Sequence, residues 1–300
     1  MTYVIDRANV KKERDIVQCS FTIKNNKIDY IARQMNRVDF FKMDVSEYLL
    51  TPGHVMLDFQ IEELNNFLTL KNYMKEKLIS KGCTTVLFTI TIDYEAQLLS
   101  KLKKAKHRMI NSPIDYSIGI KIPIRALTPS LIRQCKRYKI PVIFVSLSEQ
   151  DLGRVAWGWI RDALYPYYPC IVPIWREDFT KNKFKKVTEF WQELCLQEQI
   201  PTIPFVPSTG EPLPRNVLCR IGIYPLKGDI RIGGDVDYNL YPKKDVGFDN
   251  LGEVKYDMDK PIITVHKGRT IKVGDHFYIN PGFGEQVVIK VPGYFASTFE

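Results

Sequence analysis

Apolar and polar residues alternate with a period of two at both ends of the chain and follow longer periods in its middle. Over 15–31, alternating apolar positions flank Asn25-Asn26, a pair that tolerates the positive φ angles of a tight turn, so a β-hairpin is predicted. Residues 1–50 read as short alternating strands. From about residue 210 the chain is rich in Gly, Pro and strand formers, with further strands predicted at 262–265 and 286–291. Between these regions, apolar runs and helical patterns take turns: strand 84–92, helix 95–106, strand 118–122, helix 129–138, strand 142–145. That order implies parallel strands joined by crossover helices. After Val145 it gives way to an aromatic, proline-rich passage at 157–169 and a single helix to about Leu196. Prolines at 201, 204, 207, 212 and 214 then mark a linker.

Composition narrows the class without naming a chemistry. At 300 residues the chain can bury a large core and suggests two structural units. No apolar run is long enough to span a membrane, and the N-terminal residues lack the pattern of a secretory signal. The six cysteines form no C-x-x-C pair, so reduced thiols and a cytoplasmic location are expected. The formal charge of +9 is concentrated in runs at 101–108 and 181–186. Clustered lysines could meet phosphates. Here each run shares its stretch with apolar residues, Leu98, Leu99 and Leu102 in one case and Phe184, Val187, Phe190 and Trp191 in the other. The runs therefore read as solvated helix faces, and no nucleic-acid partner is expected.

Ordinary catalytic templates are missing: there is no phosphate loop and no G-x-S-x-G elbow. The four histidines, at 54, 107, 266 and 276, include no H-x-H pair. His54 follows a Pro-Gly turn and reads as a turn or packing residue.

Five segments carry a resemblance. Residues 50–60, with Pro52-Gly53 before Met56, Asp58 and Gln60, are similar to the PG-x-x-D-x-H-x-H strand of the amidohydrolase superfamily. The hairpin at 15–31 resembles the family's opening hairpin, and Gly82-Cys83-Thr84-Thr85 its G-x-T-T strand. The strand, helix, strand passage from Ile118 to Val145 resembles that of dihydropyrimidinases. The longest match, 216–237, contains Pro225, Lys227, Gly228, Gly233, Asp235 and Asp237, close to the family's G-h-x-P-x-K-G-x-I-x-x-G-x-D-A-D run.

The resemblance implies an α/β fold: a composite β-sandwich formed by both termini, residues 1–50 and 210–300, with an inserted, reduced or incomplete TIM-like (β/α) barrel at 51–209. The insert must be reduced, because a complete (β/α)8 barrel needs roughly 200 residues at least. It also implies where ligands would sit. Asp58 and Gln60 stand at the two histidine positions, Lys121 at the bridging lysine, and Ser146 and Glu149 beyond the next strand. Metal-assisted hydrolysis needs ligands that hold a Lewis acid and leave a place for water, and this set lacks the histidines. We therefore expect no metal and no cofactor, and a ligand-binding, regulatory or interaction protein. Asp58, Gln60, Lys121, Ser146 and Glu149 would line a pocket for a small polar or anionic ligand. The alternative is a mononuclear hydrolase of C–N bonds in cyclic amides or N-acyl compounds. It would hold one divalent metal such as Zn through Asp58, Glu149 and a histidine. A third reading makes the aromatic segment at 157–169 a contact surface, against burial of its rings where barrel units are missing. A homodimer is the expected assembly.

Overall fold

The computed structural model describes residues 2–12, 15–35, 39–64, 66–244, 246–247 and 260–296. The N-terminal strands are β1 (Thr2–Lys12), β2 (Asp15–Lys24), β3 (Lys27–Ala32), β4 (Phe41–Asp44) and β5 (Tyr48–Pro52). The predicted hairpin is β2–β3, and Asn25 and Asn26 turn it with φ of 51° and 59°. On the other edge of β1, β4 pairs in parallel and then β5 takes over.

The middle of the chain supplies β6 (His54–Asp58), β7 (Cys83–Thr91), β8 (Asp115–Pro123), β9 (Val142–Leu147) and β10 (Cys170–Trp175). These five are parallel and lie in sequence order, a curled half-barrel. Between them run the crossovers α1 (Phe67–Tyr73), α2 (Leu98–Arg108), α3 (Pro129–Tyr138) and α4 (Trp157–Leu164), and α5 (Lys181–Gln197) follows β10. Thr128 caps α3 by accepting the amide of Leu131, with Pro129 at the first turn, so this helix begins and ends where the sequence predicts.

Both faces of the half-barrel are covered, which is why its strands read as nearly unbroken apolar runs. Met56, Val86, Phe88, Ile118, Ile120 and Ile143 meet the helices on the convex side. Val55, Leu57, Leu87, Val142, Phe144 and Val172 face the concave side. Each such side chain fully withdrawn from water contributes about 1.5–3 kcal/mol. The concave side is filled by α6 (Arg215–Ile221), through Val217, Leu218 and Ile221, together with Ile203, Leu213 and Ile289.

The proline-rich segment after α5 is a strap across the open side of the half-barrel. At one end Pro201 accepts the amide of Ile171 on β10, at 2.9 Å, and at the other Leu213 donates to Val55 on β6, at 2.8 Å. Both edges of the parallel sheet are thereby occupied.

The last strands, β11 (Tyr238–Pro242), β12 (Ile263–His266), β13 (Arg269–Val273) and β14 (His276–Phe277), join the N-terminal ones because β11 pairs antiparallel with β5. The result is one mixed nine-stranded sheet made from both ends of the chain.

Several local expectations need correction. The aromatic passage contains α4, whose buried Trp157, Ile160, Ala163 and Leu164 follow helical spacing. Strand β10 was not predicted, because Pro173 interrupts it; the proline is tolerated at the end of the sheet order. Residues 286–291 form no strand. Only Gln286 makes a bridge, to Tyr116, while Val287 and Ile289 pack on the concave side. The buried stripe of α2 is Leu98, Leu102 and Ala105, with Leu99 outside it. That of α5 is Val187, Trp191 and Cys195, leaving Phe184 and Phe190 largely exposed. The aromatic passage itself divides: Trp157 packs edge-on against Trp191 and Tyr167 is buried, whereas Trp159 and Tyr165 face solvent. All six cysteines are buried and none forms a disulfide, and among the described residues no helix is long and apolar enough to cross a membrane.

Candidate functional site

The C-terminal ends of β6 to β9 are the place to look for ligand-binding groups in a parallel α/β sheet. Asp58 closes β6 and is 4% exposed. Strand alternation puts Val55, Leu57 and Phe59 on the concave side, so Asp58 turns with Met56 towards the helices. There its carboxylate is fully engaged. One oxygen accepts the amides of Gln60 and Ile61, both at 2.8 Å, and the other accepts the Tyr73 hydroxyl at 2.5 Å. Tyr73 stands where α1 widens into a single π-turn, Met74–Leu78, and its hydroxyl oxygen also lies 3.1 Å from Gln60 Oε1. Burial, then the bond to Asp58 and its charge, hold the Tyr73 hydroxyl protonated well above the usual tyrosine range.

Lys121 and Ser146 lie on the concave side. The Lys121 ammonium sits 6.0 Å from the Phe59 ring, and among the described residues it has no ion pair. Ser146 follows Val142 and Phe144 along β9. Glu149 is exposed beyond β9 and pairs with Lys183 at 3.1 Å. The five residues therefore do not converge: Asp58 and Gln60 share Tyr73 on the helix side, Lys121 and Ser146 face the lumen, and Glu149 points to α5. As a donor set they do not fit a metal centre. The only buried carboxylate among them already accepts three hydrogen bonds, and none of the four histidines joins them. His54 begins β6, buried between Lys81 and Thr51, and burial lowers its pKa to about 4.

A second concentration of charge, missed in the sequence, lies at the opposite end of the sheet. Lys227 is buried and bridges three carboxylates: Asp115 at 2.6 Å, Asp235 at 2.7 Å and Asp237 at 2.7 Å. Lys267 reaches Asp115 and Glu285, each at 2.7 Å. His266 contacts Asp237 at 3.0 Å and stands 3.5 Å from Asp115. Asp115, at the start of β8, thus ties the half-barrel to the turn after β12. Asp115, Asp237 and His266 also bring ligand atoms within 4.8 Å of one another, the sole such trio among the described residues. A cation does not fit there, because two ammonium groups already occupy the carboxylates. The signal was present: Lys227, Asp235 and Asp237 all belong to the longest matching run, whose charges must be satisfied once buried.

The titration of this cluster fixes a pH dependence. Burial would raise the carboxyls, but His266 and Lys227 outweigh it, holding Asp237 at about 2 and Asp115 lower still. Burial would lower His266, but the Asp115 and Asp237 carboxylates beside it raise it above 6.5. The carboxylate contribution is present above the unfolded value of 3.8 and is lost as pH falls through the folded one. The histidine contribution is full below 6.5 and is lost as pH rises through its folded pKa. Urea midpoints should peak between these limits and decline on the alkaline side, and His266→Gln should flatten that decline. An unchanged alkaline slope in the variant would remove His266 as its source.

The sequence matches no protein-family model, and no curated protein is similar to it. Solved structures do match. A D-hydantoinase structure superposes with a TM-score of 0.67 at 12% identity, covering 98% of this chain and 100% of that one. The dihydropyrimidinase from Brevibacillus agri NCHU1002 gives 0.64 at 12% identity, with 99% and 100% covered. The L-hydantoinase (dihydropyrimidinase) from Arthrobacter aurescens gives 0.64 at 12% identity, with 96% and 100% covered. At this identity the likeness is one of fold: the chain shares the architecture of these hydantoinase structures, with a partial TIM-like barrel.

Proposed function

We propose that this amidohydrolase-like chain works without metal-dependent hydrolysis, as a small-ligand-binding or regulatory protein. The observation that carries the reading is Asp58: the carboxylate standing at a resembled metal position turns away from the lumen and is held there by two amides and a tyrosine. An activated water needs a metal with an open coordination place, and nothing in this arrangement offers its ligands. Lys121, beside Ser146 on the concave side, is the group suited to a small polar or anionic ligand, because its ammonium has no ion pair among the described residues. A cytoplasmic homodimer remains part of the proposal.

The test is elemental analysis of protein purified without chelators or affinity metal, before and after incubation with Zn²⁺ and Mn²⁺. Less than stoichiometric metal under both conditions is expected. One bound metal per chain, lost in Asp58→Ala together with turnover of a cyclic amide, would replace this reading with the mononuclear hydrolase.

A further inference from the structure

A cleft of about 480 Å³ opens on the helix-covered rim, between the N-terminal ends of α3 and α4. Its size falls within the range of small-molecule sites. Leu127, Val155 and Ile160 form an apolar floor, and Trp159, 70% exposed, stands over one side. Arg125 and Arg154, both exposed, are among its lining residues.

The charge balance of the cleft is positive. Its one acidic lining residue, Asp151, is already neutralised: it accepts the Ser148 amide and hydroxyl, both at 2.8 Å, and pairs with Arg176. Arg125 stacks 5.6 Å from the Tyr94 ring, which leaves its charge uncompensated. Arg154 has no ion pair among the described residues. At the start of α4 the cap residue is Ala156, which offers no side-chain cap, and the Trp157 and Trp159 amides donate to the Val155 and Ala156 carbonyls. By contrast, Thr128 caps α3. An apolar lining, an exposed indole and two arginines with no ion pair among the described residues together suit one chemistry.

We infer that this cleft binds a small organic anion, a carboxylate carried on a flat or branched apolar body. The apolar part lies on Leu127, Val155 and Ile160 beneath Trp159, and the carboxylate meets Arg125 and Arg154. Guanidinium groups bind carboxylates through paired, charge-assisted hydrogen bonds. The site lies on the helix side of the rim, separate from the concave face that holds Lys121, and does not depend on the function proposed above.

The test is an NMR titration of the full chain with indole-3-acetate and isovalerate, and with uncharged indole-3-acetamide as the matched comparison. The reporters are the Trp159 indole N–H, assigned with Trp159→Phe, and the Arg154 Nε–H. Saturable shifts with at least one acid are expected, with the amide weaker by about tenfold or more and each of Arg125→Ala and Arg154→Ala weakening the acid by about tenfold. Equal binding of acid and amide, wild-type affinity in both arginine variants, or no saturable shift with either acid at millimolar concentration would overturn the proposal. So would a signal abolished by Lys121→Ala and untouched by the arginine changes, which would move the anion to the concave face.

Discussion

Lys227→Ala should lower the free energy of unfolding by about 3–5 kcal/mol, the range for removing one partner from a buried ionic group. The ammonium is the shared counter-charge of Asp115, Asp235 and Asp237, and its side chain is only 5% exposed. Burial by itself would lower the pKa of this lysine, yet Asp237, Asp115 and Asp235 raise it above its usual value, so the pairing outweighs the desolvation. Without the ammonium, three carboxylates face one another with His266, Lys267 and the exposed Lys27 as the remaining cations. Lys27→Ala provides the contrast. It removes a partner of the same Asp235, but from a side chain that is 54% exposed, and should cost less than about 1 kcal/mol. Urea denaturation of the two variants measures the difference directly. Similar small losses in both would mean that water replaces Lys227 at no great cost.

Gly284→Ala should destabilise by about 3 kcal/mol or more, in the range of a collision that neither side can relax. A Cβ built on Gly284 would lie 1.9 Å from the Ile114 carbonyl oxygen, and that obstacle is backbone. The glycine approaches so closely because its amide donates to Ser112 at 2.9 Å and the next amide, of Glu285, donates to Asp115 at 2.7 Å. Displacing this segment would also pull Val287 and Ile289 off the concave face. Thermal or urea unfolding of Gly284→Ala beside Gly233→Ala separates this from a general glycine effect. Gly233 has open space around it, so its alanine variant meets only the strain of its φ of 77°. Equal losses in the two variants would remove close approach as the cause.

Much of the fold was legible because local and global signals agreed. The Asn25-Asn26 turn, the capped α3 and the apolar runs of β7 to β9 each had one reading, and the structure places them as read. The shortened barrel followed from chain length. What escaped depended on relations between distant residues. The motif spacing puts Asp58 and Gln60 two apart, which fixes a common face of a strand but not which face. Packing of Val55 and Leu57 onto α6 decides that they turn to the helices. Likewise, nothing local announces that Asp115 meets residues more than a hundred positions later, or that Gly284 lies against Ile114. Residues 286–291 have strand-forming side chains, but their place beside a filled concave face leaves them no ladder partner beyond one bridge.

The strap and α6 bear on the order in which the molecule can be completed. During synthesis, a chain that has emerged only as far as α5 has all five parallel strands and the helices of their convex side. The cover for Leu57, Leu87, Phe144 and Val172 arrives only with residues 203–223 and 289. The same delay holds β5 without its neighbour β11. Until then the nascent half-barrel presents an apolar trough and an unpaired edge, the surfaces on which partly made chains aggregate. The trough is thus sealed only once residues 203–223 and 289 have been made, and a chain stopped before them keeps that apolar face open to aggregation.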